Sequence, residues 1–333
     1  MMEFNEFTTH IRDHIREYLP EECRNASVNL CTVNKNNGQS RCGLTIRVGD
    51  DNVSPNLYLE APYEQYCRGM DMDVVLDKIA NLYLMSREPD EAIRNVVENF
   101  QDPDFIREHV VVAVVNAEKN EKLLADTPHK MKEDLAIIYK IYLGTTGDSV
   151  GTILVKQEHM DTWGISLDEL HECAMRNSKN LMPVKVEDMS TLLASMGFPV
   201  MAPAADEKDM MYVISNEQRI NGAAGFLYSD CLEKLSQKLG TDLYIIPSSI
   251  HELLAVSTKS INAMELAKII KEVNQTQVAE EEQLSDHVYM YEAETKTFSL
   301  VDTQAREQEH SEDAKEQNTE AETQESSRPR HHR

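Results

Sequence analysis

The sequence predicts an α+β protein: antiparallel sheets with helices packed on one face, followed by a disordered acidic C-terminal tail. Three observations carry this reading. Short apolar runs are joined by connections too brief for parallel crossovers. Between them lie stripes at three- and four-residue steps, such as Phe4, Phe7, Ile11 and Ile15, which mark helices. From residue 302 onward there is no Ile, Leu, Val, Met, Phe, Tyr, Trp or Cys, so burial cannot offset the entropy of ordering.

The first stripe predicts a helix over residues 3–18. A meander follows. Val28 and Leu30 alternate with polar neighbours, Asn37-Gly38 supplies a tight turn, and Leu44, Ile46 and Val48 return. Leu57 and Leu59 mark a short third strand. Met72, Val75, Leu76, Ile79 and Tyr83 predict one helix, and Ile93, Val96 and Phe100 another. An N-terminal α-βββ-αα unit over 1–101 results. Residues 110–115 are a continuous apolar run suited to a strand covered on both faces. Strands over 135–143 and 150–155 flank a glycine turn. A helix over 167–180 opens with a Ser166/Glu169 capping box, and a second, near Met189–Met196, stops at Gly197. Residues 198–208 read as a loop. Strands at 211–215 and 220–227, a helix ended by Gly240, strands at 243–246 and 253–256, and a helix capped by Asn262 give the order ββαββα. A hairpin over 287–301 closes this larger α+β region (102–301), leaving 302–333 as tail.

Against 58 acidic residues stand 33 basic ones, a net charge of −25. Such a surface repels phosphate backbones and anionic lipid, and no Lys/Arg run breaks the trend, so neither direct nucleic-acid binding nor membrane association is expected. The longest aliphatic run is far shorter than the ~20 residues of a membrane span. The N-terminus has no signal-peptide pattern, which predicts a cytoplasmic protein. Six scattered cysteines without a C-x-x-C pair read as reduced thiols; a Cys31–Cys42 disulfide is the lesser reading.

Several stretches carry a resemblance: NAEKNEKLL at 116–124, TPH at 127–129, DLAIIY at 134–139, EH at 158–159, WGI at 163–165, LYIIPSSIHE at 243–252, VNQTQ at 273–277 and LSD at 284–286. Together they resemble a bacterial family known only as domain of unknown function 5688. Residues 134–177 also look distantly like a second uncharacterised family. Neither resemblance implies an activity, and no functional residue is carried over from it.

The best candidate cluster is Ser248, Ser249, His251 and Glu252, between two predicted strands. Hydroxyls, an imidazole and a carboxylate are the parts of a serine nucleophile, its base and the group that orients it. A hydrogen-bonded turn explains the same residues more simply, and no G-x-S-x-G elbow is present. Asn274, Gln275 and Gln277 offer amides to a polar ligand, or to helix carbonyls. Glu158, His159 and Asp161 are metal-ligand types, but a helix start accounts for them, and no metal site is predicted. His171 is expected on the solvated flank of its helix. Gly144, Gly147 and Gly151 lack the Lys-Ser/Thr that completes a phosphate loop, and Gly222 and Gly225, inside an expected strand, suggest close backbone packing or a bulge, so no cofactor is predicted. The leading reading is a non-enzymatic cytoplasmic binding or protein-interaction module with a protein or small-molecule partner. The alternatives are a hydrolase or transferase using the serine–histidine cluster, and an acidic DNA mimic.

Overall fold

In the computed structural model, which describes residues 1–49, 54–87, 91–146, 149–195, 210–247 and 249–302, the chain divides into two units. Unit 1 comprises residues 1–130 and 138–177. Unit 2 comprises residues 131–137 and 178–333. Ser248, Gly147, Gly197, the 198–208 stretch and the tail beyond Asp302 lie outside the described residues.

Unit 1 opens with α1 (Phe4–His14), which buries Phe7 and Ile11 and tightens into a 3-10 turn at Ile15–Tyr18. Strands β1 (Ser27–Asn34), β2 (Ser40–Arg47) and β3 (Leu57–Tyr58) pair antiparallel in that order. The register Val28↔Ile46 and Leu30↔Leu44 gathers the apolar side chains on the face that meets α1. The opposite face then carries Cys31, Val33, Arg41 and Gly43. Asn37 and Gly38, at φ 58° and 68°, make the turn their dipeptide predicts. Cys31 and Cys42 fall on opposite faces, and both are free thiols.

Helix α2 (Glu60–Cys67) buries no residue and has no apolar stripe for sequence to reveal. Next come α3 (Met72–Ser86), capped by Asp71, and α4 (Glu91–Glu98). The helix α5 (Pro103–His109) starts with proline in its first turn, where a missing N–H costs nothing. Every residue of β4 (Val110–Asn116) is buried, as the continuous apolar run implies. After α6 (Glu121–Leu124), β5 (His129–Lys132), β6 (Leu135–Thr146) and β7 (Ser149–Leu154) form with β4 a sheet of order β4-β6-β5, in which β7 also pairs with β6. Helices α7 (Gln157–Trp163) and α8 (Leu167–Leu181) follow.

Unit 2 contains β8 (Val184–Asp188), α9 (Met189–Ser195), β9 (Tyr212–Asn216), α10 (Gly225–Tyr228) and α11 (Cys231–Leu239). Strands β10 (Leu243–Ile246) and β11 (Leu253–Ser257), helix α12 (Ala263–Thr276), and strands β12 (Tyr289–Glu292) and β13 (Thr297–Leu300) complete it. The six strands form one antiparallel sheet, ordered β13-β12-β10-β11-β9-β8. Leu266 and Ile270 of α12 pack on Tyr244, Ile246 and Val256 of one sheet face. Phe226 of α10 stacks on Phe298 of β13 at 4.4 Å between ring centres. The fold is α+β with antiparallel sheets.

One expected strand does not form. Residues 220–227 instead turn through Asn221 at φ 54° into a 3-10 turn at Gly222–Ala224 and then α10. The reason is the close approach anticipated for the glycines. A Cβ on Gly222 would stand 2.6 Å from the His251 carbonyl oxygen and 2.8 Å from the Asn216 nitrogen. Only a residue without a side chain lets these backbones meet.

Candidate functional site

The connection between β10 and β11 is woven into its surroundings from both sides. Ser215 Oγ donates to the His251 carbonyl at 2.7 Å, and Ala223 N–H donates to the Ile250 carbonyl at 3.3 Å. From the other side, Ile250 N–H donates to Glu282 O at 2.8 Å and Ser285 N–H to Pro247 O at 3.1 Å, while Ser249 bridges Gln283.

Within the connection, Ser249 Oγ accepts from the His251 amide at 3.0 Å, the geometry of a serine turn. His251 Nδ1 accepts from Asn221 N–H at 3.2 Å, which places the ring proton on Nε2, 3.8 Å from the Glu282 carboxylate. Burial pushes the Glu252 carboxyl up, against a smaller opposing pull from Arg219. His251, Ser249 and Glu252 are each half-buried.

Of the three candidate amides at the C-terminal end of α12 and just past it, Asn274 is 1% exposed whereas Gln275 and Gln277 are exposed. Asn274 Nδ2 donates to Ser285 O at 3.0 Å and to Asp286 Oδ1 at 2.7 Å. Its own backbone carbonyl accepts from Gln283 Nε2 at 2.8 Å. The buried Oδ1 has no hydrogen-bond partner among the described residues. Gln277 Nε2 reaches Thr276 Oγ1 at 3.4 Å.

Sequence reasoning missed a third group. At the β5–β6 hairpin tip, Glu133 is left-handed at φ 55° and Asp134 follows. The Asp134 carboxylate accepts from Ser285 Oγ at 3.1 Å, from His287 Nδ1 at 2.9 Å and from the Tyr289 hydroxyl. Burial opposes ionisation of Asp134, yet these hydrogen bonds outweigh it and hold the carboxyl below the usual range. Burial, then Asp134, pushes the Tyr289 phenol up. The sequence offered only LSD at 284–286 and Asp134 in DLAIIY as signals, separated by 150 residues.

The structure therefore brings Ser249, His251, Asn274 and Asp134 to one segment, residues 282–289 of unit 2. Gln275 and Gln277 point away from that convergence into solvent. The remaining histidines serve locally. His159 Nδ1 accepts from Lys156 N–H at 3.1 Å, the helix-start role expected, and its ring stacks edge-on to Phe100. His171 differs from expectation: it is half-buried, with Nδ1 3.0 Å from the Tyr139 hydroxyl, because α8 turns that flank toward β6. Among the described residues, no group of three or more His, Cys, Asp or Glu is placed to hold a metal ion. Nor is any described helix long and apolar enough to cross a membrane.

The fold and this polar seam define a two-unit α+β protein whose second unit ties distant segments together by side-chain hydrogen bonds. The chain belongs to the family of unknown function DUF5688, whose family model matches residues 4–293. No curated protein and no solved structure matches it.

Proposed function

We propose that the protein is a non-enzymatic cytoplasmic binding module, with its binding site along residues 282–289 of unit 2. One observation carries this reading. Four of the stretches on which the family resemblance rests, 134–139, 243–252, 273–277 and 284–286, meet at that segment. Their polar groups are fixed by one another, as a preorganised recognition surface requires. The exposed rim of the seam carries His287 and Glu282, whose side chains are 59% and 46% exposed. These would make first contact with a polar partner. The test is capture from a low-salt extract of the native host by the full chain, read by mass spectrometry of proteins and small molecules. A stoichiometric species lost in the Glu282→Gln/His287→Ala variant supports the reading. A bare wild-type protein, or equal retention by the variant, overturns it.

The alternative is a hydrolase or transferase using Ser248, Ser249, His251 and Glu252. It draws on the raised Glu252 carboxyl, which suits a general acid. Its weakness is that both Ser249 Oγ and His251 Nδ1 accept from backbone N–H groups. Labelling by a serine-reactive probe that disappears in His251→Ala would favour it over the binding reading.

A further inference from the structure

Helix α1 carries two histidines one turn apart, in the run His10-Ile-Arg-Asp-His14. A four-residue step on a helix sets side chains on one face, one above the other. Ile11 and Ile15, on the adjacent face, lie in the buried core of unit 1 and fix how the helix is rotated. The two imidazoles meet with ring centres 4.3 Å apart and planes tilted by 37°. The His14 side chain keeps 46% of its surface in solvent.

His14 Nδ1 is 3.1 Å from Glu17 Oε1. A carboxylate only accepts, so Nδ1 carries the proton and donates, and Nε2 of the neutral ring presents its lone pair. A carboxylate orients a metal-bound imidazole, and raises its basicity, by the same hydrogen bond. His10 makes no side-chain hydrogen bond among the described residues. The neighbouring cations are engaged elsewhere: Arg12 pairs with Asp13 at 2.7 Å, and Arg16 donates to the Ala26 carbonyl at 2.9 Å. His14 is also the last residue of α1, where the negative pole of the helix dipole favours a cation.

We propose that His10 and His14 form a bidentate site in unit 1 for a divalent transition ion, with Glu17 as its positioning residue. For an ion about 2.1 Å from one nitrogen of each ring, centres 4.3 Å apart correspond to an angle of roughly 85° at the metal. That is a cis pair in a square-planar or tetragonal shell, the geometry of Ni²⁺ and Cu²⁺; tetrahedral zinc would spread the centres to about 5 Å. Two nitrogens leave the remaining positions to water or to a donor brought by a second molecule. The chain lacks H-E-x-x-H, but the spacing of its two histidines is the one that motif uses. A net charge of −25 draws cations toward the surface. The site is separate from the seam of unit 2 and does not depend on it.

The test is modification of the untagged full chain by diethylpyrocarbonate, read histidine by histidine by peptide mass spectrometry, so that metal bound at His331 and His332 of the tail does not count. Rates are measured with Ni²⁺ and with Mg²⁺ at matched ionic strength. Ni²⁺ is expected to slow His10 and His14 together, saturably and by roughly fivefold or more, because a bound nitrogen is no longer nucleophilic. Mg²⁺ takes oxygen ligands and should leave both rates unchanged. In His10→Ala, Ni²⁺ should no longer slow His14; alanine is the better helix former, so α1 is kept. Glu17→Gln should raise the Ni²⁺ concentration for half-protection by about tenfold. Equal slowing by Mg²⁺, no slowing by Ni²⁺, or His14 protection that survives in His10→Ala overturns the site.

Discussion

Asp134→Asn removes the charge at the centre of the unit 2 seam while keeping its shape. In the wild type, one carboxylate oxygen accepts from Ser285 and His287, and the other accepts from Tyr289. The least costly placement of the amide nitrogen faces Tyr289, whose hydroxyl can turn to accept. The surviving oxygen keeps its two donors but loses charge assistance, worth about 1 kcal/mol at each bond. The expected loss is therefore about 2 kcal/mol, which at a typical urea slope of about 2 kcal/mol/M moves the unit 2 midpoint down by about 1 M. The chain's one tryptophan, Trp163, lies in unit 1, so its fluorescence follows that unit while circular dichroism follows both. The dichroism transition should shift and the fluorescence transition should not. The effect also has a pH signature. Asp134 has a lowered pKa when folded, so its contribution is present above the unfolded value, about 3.9, and is lost as pH falls through the folded value. The difference between wild type and variant should accordingly shrink below about pH 4. A loss under about 0.5 kcal/mol, within the scatter of surface substitutions, would refute the reasoning. So would a shift confined to fluorescence.

Three further outcomes are expected. Gly222→Ala should destabilise unit 2 by about 2–3 kcal/mol or prevent its accumulation, since the new Cβ meets backbone atoms that cannot rotate aside; thermal melts check this. Asn120→Ala should cost about 2–3 kcal/mol, read by Trp163 fluorescence in urea. Buried Asn120 accepts from Asn37 N–H at 2.9 Å and donates to Asn37 Oδ1 at 2.9 Å and to Asn116 O at 2.8 Å. Acylation of Lys140 should be half-maximal near pH 8, against about 10.4 for an ordinary lysine; peptide mass spectrometry across pH settles it.

What sequence could show depended on how local the causes are. The Asn37-Gly38 turn, the Gly240 helix stop at φ 63° and the Asn262 cap, accepting from Met264 N–H at 2.8 Å, rest on neighbours in the chain and were legible. Helix α2 was not, because none of its residues is fully buried and it leaves no apolar period. Strand β8 was hidden for a similar reason, as an edge strand with no fully buried residue. Residues 220–227 misled because small residues fit a strand as well as a close turn, and the choice rests with His251, some thirty positions away. The same distance hid the sites. Ser249, His251 and Asn274 were singled out by type alone, whereas their junction with Asp134 exists only after the β5–β6 tip reaches residues 285–289.

The central claim is that residues 282–289 form the recognition surface of unit 2. Hydrogen exchange of the full chain, alone and after loading with the captured partner, tests it most directly. New protection concentrated in residues 129–137, 247–252 and 274–289 is the predicted result. Protection confined to unit 1, or absent from those three stretches, would contradict the account.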